Sequence, residues 1–577
     1  MTAPTTRREF LAGSVAVAST VATTTASEAL AAPAPTPWTI AAIPAAVTAA
    51  SGAIVGEGLG AMPLILPPHV SARQFARAMA AFEHVVGRQW LLDSDQDRYT
   101  YLDAYAPGDA AEHAPSAAVA PASVEEVQAL LRLANEHRIP LWPVSRGKNF
   151  GYGGSAPRLP GTVIMDLGRM NRVLELNPEL GYCVLEPGVG FFELYDYIRE
   201  RKLDLQLGIP GNAWGSVMGN ALERGFSQAG DHSANICGVE VVLPEGGLVR
   251  TGMGAMEGNA TWPLFRHGFG PSWDQMFVQS NFGIVTRMGL WLKPAPEAVI
   301  NVGIKLPAPE DVGAWTDIVT PLRIAGVLDG NLSVTSYQAS ATLRTQRSEW
   351  YGGRDALPDS VVAKIMERYG VGWWNGSLRL AGFSEVNEAN LRLVQKAFAA
   401  LPAAQLSVSR WHKGEPGSGV PAPSVLPLQI VNWHGGRGGH LGFSPIMPAS
   451  GRLVLEQLQR TRARFREFGI DYSGTFYHSG RSVSNVNLMI YNRDDTDLTA
   501  RTRALFSALV RDSAVAGYAE YRTHLSYMDE VAATFGHNDH ALWKLHERVK
   551  DALDPNGILA PGKSGIWPQA YRDLRHA

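Results

Sequence analysis

The sequence predicts an α+β protein with more than one domain, and three features of the chain support this prediction. Strand and helix patterns alternate over residues 68–296. A longer region of mixed pattern follows over 297–505, and the segment 506–577 contains a helix and a turn. The chain has 577 residues, of which 45% are hydrophobic, so it can bury more than one core.

Apolar spacing and capping residues place the individual elements. Apolar residues recur at helical spacing over 71–86. Ser123 followed three residues later by Glu126 is typical of a capping box, and the helix that it begins should run to about His137. We expect strands at 118–119, 141–144, 162–167, 183–186, 239–243, 284–292 and 488–491, and further helices at 191–201, 452–468 and 542–552. Asp554-Pro555-Asn556-Gly557 is typical of a turn.

The N-terminal segment 1–31 has the pattern of a Tat signal peptide. Arg7-Arg8 precedes a weakly apolar run, and Ala29-Leu30-Ala31 is a candidate cleavage site. The alternative is an Ala- and Thr-rich tail that contains a chance Arg-Arg pair. Residues 32–67 are rich in Ala and Pro and predict a linker. We therefore expect export by the Tat machinery to the periplasm or beyond the cell, in a form that is already folded.

Charge and cysteine content exclude several classes of function. A net charge of -3 gives no basic field for nucleic acid or an anionic membrane. The chain after the signal peptide has no apolar run long enough to span a membrane. The spacing of Cys183 and Cys237 does not suggest a metal site, and we expect no metal. Whether these two residues form a disulfide is left open by the sequence, although buried thiols are favoured.

Two glycine-rich loops predict a dinucleotide site. The loop Gly147–Gly154 directly follows a strand, and Trp214–Asn220 precedes a helix. Backbone N–H groups in such loops can meet phosphate oxygens. Neither loop has the Gly-x-Gly-x-x-Gly fingerprint, and Gly252-Met253-Gly254 lacks the third glycine, so it predicts a hairpin turn. The pair therefore fits a dinucleotide that lies between two α/β lobes without a Rossmann fold.

A third glycine-rich stretch, Gly435–Gly442, contains His440. Glycines on both sides allow the backbone to approach a large planar partner, and an imidazole held there could act as a nucleophile toward a cofactor. A glycine-rich turn with an ordinary histidine is the alternative interpretation.

Long motifs in a fixed order make the chain resemble the vanillyl-alcohol oxidase / 4-cresol dehydrogenase flavoprotein family, and within it the bacterial eugenol oxidases. They include Pro143–Asn149, Gly151–Leu159, Leu185–Val189, Trp214–Val217, Asn281–Thr286 and Asp554–Trp567, and the resemblance extends from about Leu66 to Trp567. It implies an FAD-binding domain of two lobes (68–296, completed by 506–577) and a cap domain (297–505) that is built on a large antiparallel sheet. It further implies that FAD contacts Pro143, Ser145, Arg146, Gly147, Lys148, Asn149, Gly151, Tyr152, Pro210, Gly215, Ser216, Gly219, Asn220, His232, Gly283, Ile284, Val285, His440 and Lys563.

The resemblance also implies how the flavin is attached. His440 matches the residue that is bonded covalently to the flavin in the oxidases of the family. The related dehydrogenases use a tyrosine nine residues earlier, and Val431 stands at that position here. We therefore expect histidyl FAD, with dissociable FAD as the alternative.

Tyr521 and Arg522 place a phenol hydroxyl beside a permanent cation, an arrangement suited to binding an ionised phenol. On its own the pair could equally be an exposed ion-pairing segment. In the family the matching pair and the tyrosine matching Tyr152 bind the substrate phenolate, so we assign catalytic roles to Tyr152, Tyr521 and Arg522. The implied reaction is hydride transfer from the benzylic carbon to the flavin through a p-quinone methide.

The substrate pocket departs from the family pattern. Gly211 replaces an aspartate that acts as a base, Ser484-Asn485 replaces a His-His pair, and Pro427 replaces a glutamate. We expect substrate contacts from Gly211, Asp231, Val431 and Ser484, and a wider pocket for lignin-derived phenols, some of them bulky. Asp231 or a bound water could replace the missing base.

The sequence leaves several functional alternatives open. We expect O2 rather than a cytochrome as the electron acceptor, and a homodimer. The alternatives are a cytochrome-linked dehydrogenase, a sugar or alcohol oxidase on the same fold, and a flavin-binding protein that has lost its chemistry.

Overall fold

The computed structural model describes residues 62–417 and 419–575. The predicted signal peptide and most of the predicted linker lie outside these ranges. Residues 62–67 contact the body of the protein, because Arg98 donates a hydrogen bond to the Met62 carbonyl at 2.9 Å. None of the described helices has both the length and the apolar character that are required to cross a bilayer.

Helices and strands are numbered in chain order. The helices are α1 (Ala72–Val86), α2 (Asp95–Thr100), α3 (Val124–His137), α4 (Phe191–Glu200), α5 (Val217–Leu222), α6 (Asp311–Ile324), α7 (Tyr337–Ala341), α8 (Asp359–Tyr369), α9 (Ser384–Phe398), α10 (Gly451–Glu467), α11 (Thr496–Val515), α12 (Met528–Ala533) and α13 (His537–Leu553). The strands are β1 (Leu91–Leu92), β2 (Ala118–Val119), β3 (Leu141–Val144), β4 (Val163–Asp166), β5 (Val173–Asn177), β6 (Tyr182–Leu185), β7 (Leu205–Gln206), β8 (Phe226–Ser227), β9 (Gly230–Asp231), β10 (Ile236–Val242), β11 (Leu248–Arg250), β12 (Ile284–Trp291), β13 (Lys293–Pro294), β14 (Ala298–Leu306), β15 (Leu332–Ser336), β16 (Trp374–Gly382), β17 (Gln405–His412), β18 (Gly438–Phe443), β19 (Pro445–Pro448), β20 (Gly474–His478), β21 (Ser482–Asn492) and β22 (Ala519–Glu520).

The first lobe is a four-stranded sheet in the order β1-β2-β4-β3, in which β4 runs parallel to both of its neighbours. The apolar faces of α1 and α3 pack on it, as the spacing predicts. Ser123 caps α3 by accepting a hydrogen bond from the Glu126 N–H. The Glu126 carboxylate, however, accepts from Ala122 N at 2.7 Å rather than from Ser123 N, so the predicted capping box is shifted by one residue.

The second lobe is an antiparallel sheet in the order β11-β10-β12-β6-β5. Its hairpin joins β10 to β11 and lies just before Gly252, which begins a 3-10 turn over Gly252–Ala255. The prediction of a hairpin turn at Gly252 is therefore wrong, because the hairpin turn lies one strand earlier, between β10 and β11. Cys183 and Cys237 are both free and buried in this lobe.

The cap is built on a nine-stranded sheet, in the order β17-β14-β16-β15-β20-β21-β19-β22 with β18 also paired to β21. Its core contains the fully buried Trp315, Trp374 and Trp433. Helix α11 was not predicted from the sequence, and the boundary at 505 falls inside this helix. Strands β18 and β19 both pair with β21 and are separated at Ser444.

The C-terminal segment returns to the first two lobes. Leu559 pairs in parallel with Leu141 at the edge of the first sheet. Lys550 is completely buried, forms an ion pair with Asp554 at 2.7 Å, and donates to the carbonyls of Asn281 and Leu559. The turn predicted at Asp554 therefore joins both lobes through a buried ion pair.

Replacing Lys550 by Met is expected to destabilise this junction, because the Asp554 carboxylate stays buried without its cation. The loss should be about 3 kcal/mol or more, as is typical when one partner of a buried pair is removed. Thermal unfolding and limited proteolysis measure the change. The double variant Lys550→Met/Asp554→Asn should recover part of the stability, and a double variant less stable than the single one would contradict this expectation.

Candidate active site

A cavity of about 420 Å³ lies where loops of both lobes, the C-terminal segment and the cap sheet meet. Most of the residues that the sequence assigned to a site line this cavity: Pro143, Ser145, Arg146, Gly147, Lys148, Asn149, Tyr152, Pro210, Gly211, Gly215, Ser216, Gly219, Asn220, Gly283, Ile284, Val285, His440, Tyr521, Arg522 and Lys563. The fold thus brings together residues that are more than 400 positions apart in the chain.

The first glycine-rich loop follows β3 and contacts His440. Gly151 has φ of 79°, and a Cβ added there would lie 2.3 Å from Cε1 of His440. Only glycine combines this conformation with this close approach. The loop closes on itself, because Tyr152 N and Gly154 N both donate to the Asn149 carbonyl. Gly151 itself lies beside His440 and does not line the cavity.

The second loop is fixed to the first at the start of α5. The Ser216 hydroxyl accepts from Gly219 N at 3.0 Å and donates to the Pro187 carbonyl at 2.5 Å. A Cβ on Gly219 would lie 2.3 Å from Oγ of Ser145, so the two loops touch at this glycine. His232 lies one layer behind, with Nδ1 at 2.6 Å from Oδ1 of Asn220. It supports the loop and does not line the cavity.

His440 lies on β18 and offers an unused ring nitrogen. Its Nδ1 is buried without a hydrogen-bond partner, and its ring meets the edge of Tyr105 with centroids 5.2 Å apart. Burial lowers the pKa of His440 to about 4. The imidazole is therefore neutral near pH 7 and keeps a lone pair, which is the state that a nucleophile requires.

The predicted phenol-binding residues Tyr152, Tyr521 and Arg522 all line the same cavity, and we call them the clamp. The Arg522 guanidinium carbon lies 4.1 Å from the centre of the Tyr152 ring, and Nη2 donates to Oδ1 of Asn149. Nε of Arg522 is buried and has no partner in the protein. This donor beside the cavity is therefore available to a bound acceptor.

The tyrosines of the clamp stay protonated. Burial raises the pKa of Tyr521 well above its usual value, although Arg522 opposes part of this rise. Burial likewise raises the pKa of Tyr152. Both hydroxyls can therefore donate hydrogen bonds to an anion, and Arg522 supplies the positive charge of the clamp.

The apolar wall of the cavity was not predicted from the sequence. Tyr477 from β20 and Val486 and Leu488 from β21 line it, and Phe226 meets Tyr477 with ring centroids 4.6 Å apart. The period-2 alternation of β21 contained this information, because residues two apart share a face of the sheet. Burial raises the pKa of Tyr477 to about 12, so its hydroxyl is also neutral.

Of the four predicted substrate contacts, one lines the cavity. Gly211 lines the cavity, and a Cβ added there would meet nothing within 4 Å. Asp231 is exposed and accepts hydrogen bonds from Ser233, while Val431 packs beside the cap core. Ser484 is buried and pairs with Tyr477, which lines the cavity, but Ser484 itself is not among the lining residues. We therefore assign no substrate contact to Asp231, Val431 or Ser484, and Asp231 is not placed to act as the missing base.

Comparison with known proteins agrees with this geometry. Residues 115–252 match the FAD binding domain family, and residues 378–564 match the C-terminal domain of FAD linked oxidases. The 4-cresol dehydrogenase [hydroxylating] flavoprotein subunit of Pseudomonas putida is 34% identical over 515 residues, covering 87% of this chain and 98% of that protein. The structure of 4-ethylphenol oxidase from Gulosibacter chungangensis, an isoeugenol complex, is 35% identical, covers 88% of this chain and 100% of that one, and superimposes with a TM-score of 0.84.

A third relative shows that the family contains other reactions. The 1'-carboxy-chondrochloren decarboxylase of Chondromyces crocatus is 30% identical over 547 residues, covering 87% of this chain and 100% of that protein. The fold and the site define an FAD-dependent oxidoreductase of the phenol-oxidising class. The chain belongs to the vanillyl-alcohol oxidase / 4-cresol dehydrogenase flavoprotein family.

Proposed function

We propose that this protein oxidises para-substituted phenols of the lignin-derived guaiacyl and syringyl type, with FAD held covalently by His440 and O2 as the electron acceptor. The observation that carries the proposal is the arrangement of one cavity. It is lined by His440 and also by Tyr152, Tyr521 and Arg522, whose Nε has no partner in the protein.

The residues present fit an FAD. Gly219 lines the cavity without a side chain, and Gly151 allows the first loop to lie directly against His440. Lys563 reaches it from the C-terminal segment and pairs with Glu223. His440 supplies a neutral imidazole whose Nδ1 has no other partner. When bound, FAD accepts a hydride from the substrate.

The clamp is proposed to bind the substrate as its phenolate. Lowering the pKa of a phenol from about 10 to near neutrality needs roughly 4 kcal/mol. A guanidinium and two hydroxyl donors that converge on the phenolate oxygen can together supply this stabilisation. The phenolate then pushes electron density through the ring, so the benzylic carbon on the opposite side loses a hydride. The resulting p-quinone methide takes up water or loses a proton.

We infer the electron acceptor from the residue that is proposed to hold the flavin, His440. The relative from Pseudomonas putida is a dehydrogenase flavoprotein subunit, so a cytochrome is the alternative acceptor. Val431, which stands where such dehydrogenases have a tyrosine, packs beside the cap core. This favours a histidyl link and an oxidase. We also propose that the protein is exported by the Tat route and forms a homodimer.

Anaerobic mixing tests the proposal directly. Guaiacols with an alkyl or an allyl group at ring position 4 should bleach the flavin within one turnover. Air should then restore its colour with formation of hydrogen peroxide. If a sugar or a simple alcohol bleaches it and these phenols do not, the protein is an alcohol oxidase on the same fold. If no compound of a broad panel reduces the flavin, its chemistry has been lost.

Gly211 provides a test of how the quinone methide is hydrated. Because a side chain fits there without contact, Gly211→Asp should fold normally and place a carboxylate at the cavity. We expect the yield of alcohol relative to alkene from 4-ethylphenol to rise by roughly tenfold or more, since a positioned general base contributes at least this much. Gly211→Asn is the matched control. Equal product ratios in the two variants would show that a base at this position does not control hydration.

A further inference from the structure

A buried carboxyl group, Glu520, lies directly beside the clamp in the chain. It is only 4% exposed, and Oε2 accepts a hydrogen bond from the Ser444 N–H at 2.6 Å. Its other oxygen, Oε1, is buried and has no hydrogen-bond partner. No cation among the described residues forms an ion pair with it. A carboxylate in this setting would be strongly destabilised, because neither a charge nor a second donor compensates for the loss of water.

Ser444 connects Glu520 to the clamp. It is completely buried at the break between β18 and β19, and Pro445 pairs with Glu520. The Tyr152 hydroxyl lies beside Gly442, where an added Cβ would be 3.2 Å from its oxygen. Ser444 follows Gly442 by two residues, and its side chain also lies beside the Tyr152 hydroxyl. Oγ of Ser444 has no well-formed hydrogen bond, yet its proximity lowers the pKa of Tyr152.

We propose that Glu520 stays protonated and that, when a phenolate occupies the clamp, Oε1 of Glu520 and Oγ of Ser444, which have no other partner, complete a chain of hydrogen-bond donors. In this chain Glu520 donates to Ser444, Ser444 donates to Tyr152, and Tyr152 donates to the phenolate oxygen. Glu520 and Ser444 are positioning residues that act through Tyr152. This inference rests on the proposed function, because the chain ends on a bound phenolate.

The protonation state follows from the contacts. Oε2 already accepts the Ser444 N–H, so it is the carbonyl oxygen and the proton belongs on Oε1. Burial raises the pKa of Glu520 well above its usual value, and the bond from Ser444 opposes this only in part. A negative charge here would also raise the pKa values of Tyr152 and Tyr521. A neutral acid therefore suits a site that must accommodate an anion.

The chain of hydrogen bonds orients the hydroxyl groups of the clamp. A hydroxyl that receives a hydrogen bond becomes a better donor, and this strengthening is larger where water is excluded. With Glu520 neutral, every hydroxyl in the chain points its hydrogen toward the substrate. With Glu520 ionised, Ser444 would turn back toward the carboxylate, and Tyr152 would lose the bond that polarises it.

The ionisation of a bound phenol tests this chain without depending on turnover. Fluorine-19 NMR of 2-fluorophenol bound to the oxidised holoenzyme reports the fraction ionised as pH is varied, and this probe has no para carbon to oxidise. The variants are Glu520→Leu, Ser444→Ala and Glu520→Gln, whose amide can still donate. Thr523→Val is the matched control, since it removes a buried hydroxyl beside Arg522 that also lacks a partner.

Glu520→Leu and Ser444→Ala should each weaken proton dissociation of the bound probe by roughly tenfold, the size expected from one hydrogen bond to a charged group. The double variant should lose no more than either single one. In Glu520→Gln, the proton dissociation constant of the bound probe should stay within about threefold of that in the parent protein, because the donor is retained. Thr523→Val should leave this constant unchanged.

Three results would overturn the chain. The first is an unchanged ionisation in Ser444→Ala. The second is a loss in Glu520→Gln as large as in Glu520→Leu, which would make Glu520 a base. The third is additive losses in the double variant. A parent protein that binds the probe only as the neutral phenol would instead refute the clamp itself, so failure of the chain and failure of the proposed function are distinguishable.

Discussion

Replacing Arg522 by Ala is expected to slow flavin reduction by a phenol roughly 100- to 1000-fold, since removal of one preorganised donor costs roughly 2.7–4 kcal/mol. The side chain supplies the cation of the clamp, and its Nε has no other partner. Tyr521→Phe removes a neutral donor and should cost roughly 1–3 kcal/mol, or about five- to 150-fold. Anaerobic stopped-flow measurement of the flavin bleaching rate checks both values.

Two observations separate a lost clamp from a damaged fold. FAD should remain bound in both variants, because His440 and the backbone of the glycine-rich loops are retained, although Arg522→Ala removes the hydrogen bond from Nη2 to Asn149. The control Tyr337→Phe removes a tyrosine hydroxyl from the cap core, and the flavin in this variant should be reduced at the parent rate. Near-normal reduction in Arg522→Ala would remove this residue from the substrate site. A matching loss in Tyr337→Phe would make the effect structural.

Replacing His440 by Ala should convert the flavin from covalent to dissociable. The unused Nδ1 and the neutral ring are the features that suit it for attachment, and no other histidine among the described residues lines the cavity. Acid precipitation should leave the yellow colour with the parent polypeptide and release it from the variant. We also expect slower reduction in the variant, since a covalent bond makes the flavin more oxidising.

His434→Ala is the matched control for this experiment. His434 precedes the same glycine-rich stretch and does not line the cavity, so its loss should leave the colour on the polypeptide. Colour that remains with His440→Ala would show that another side chain forms the bond. Colour released from the parent protein would show that the FAD is dissociable.

Much of the site could be predicted from the sequence because its parts are local. The loop 143–154 and the pair Tyr521-Arg522 are short segments, and each carries its own backbone or charge requirement. The elements of the two lobes have clear periodicity, and their positions differ from the predicted ones by a few residues. The predicted strand 488–491 is the end of the eleven-residue β21.

The parts that could not be predicted depend on distant pairing. Whether Ser484 faces the cavity depends on where β21 meets β20 and on how far the cavity extends along that face. The role of Glu520 depends on the break at Ser444, which no local pattern marks. The long helix α11 was missed because its sequence mixes Thr, Arg and Ala with few large apolar residues, so the apolar stripe is weak.

The central claim is that the substrate must carry a negative charge on an oxygen held by the clamp. Anaerobic mixing of the holoenzyme with 4-ethylphenol and with its methyl ether, 4-ethylanisole, tests it most directly, because the two differ only at that oxygen. We predict rapid bleaching of the flavin by the phenol and none by the ether. Equal bleaching by both compounds would contradict the claim.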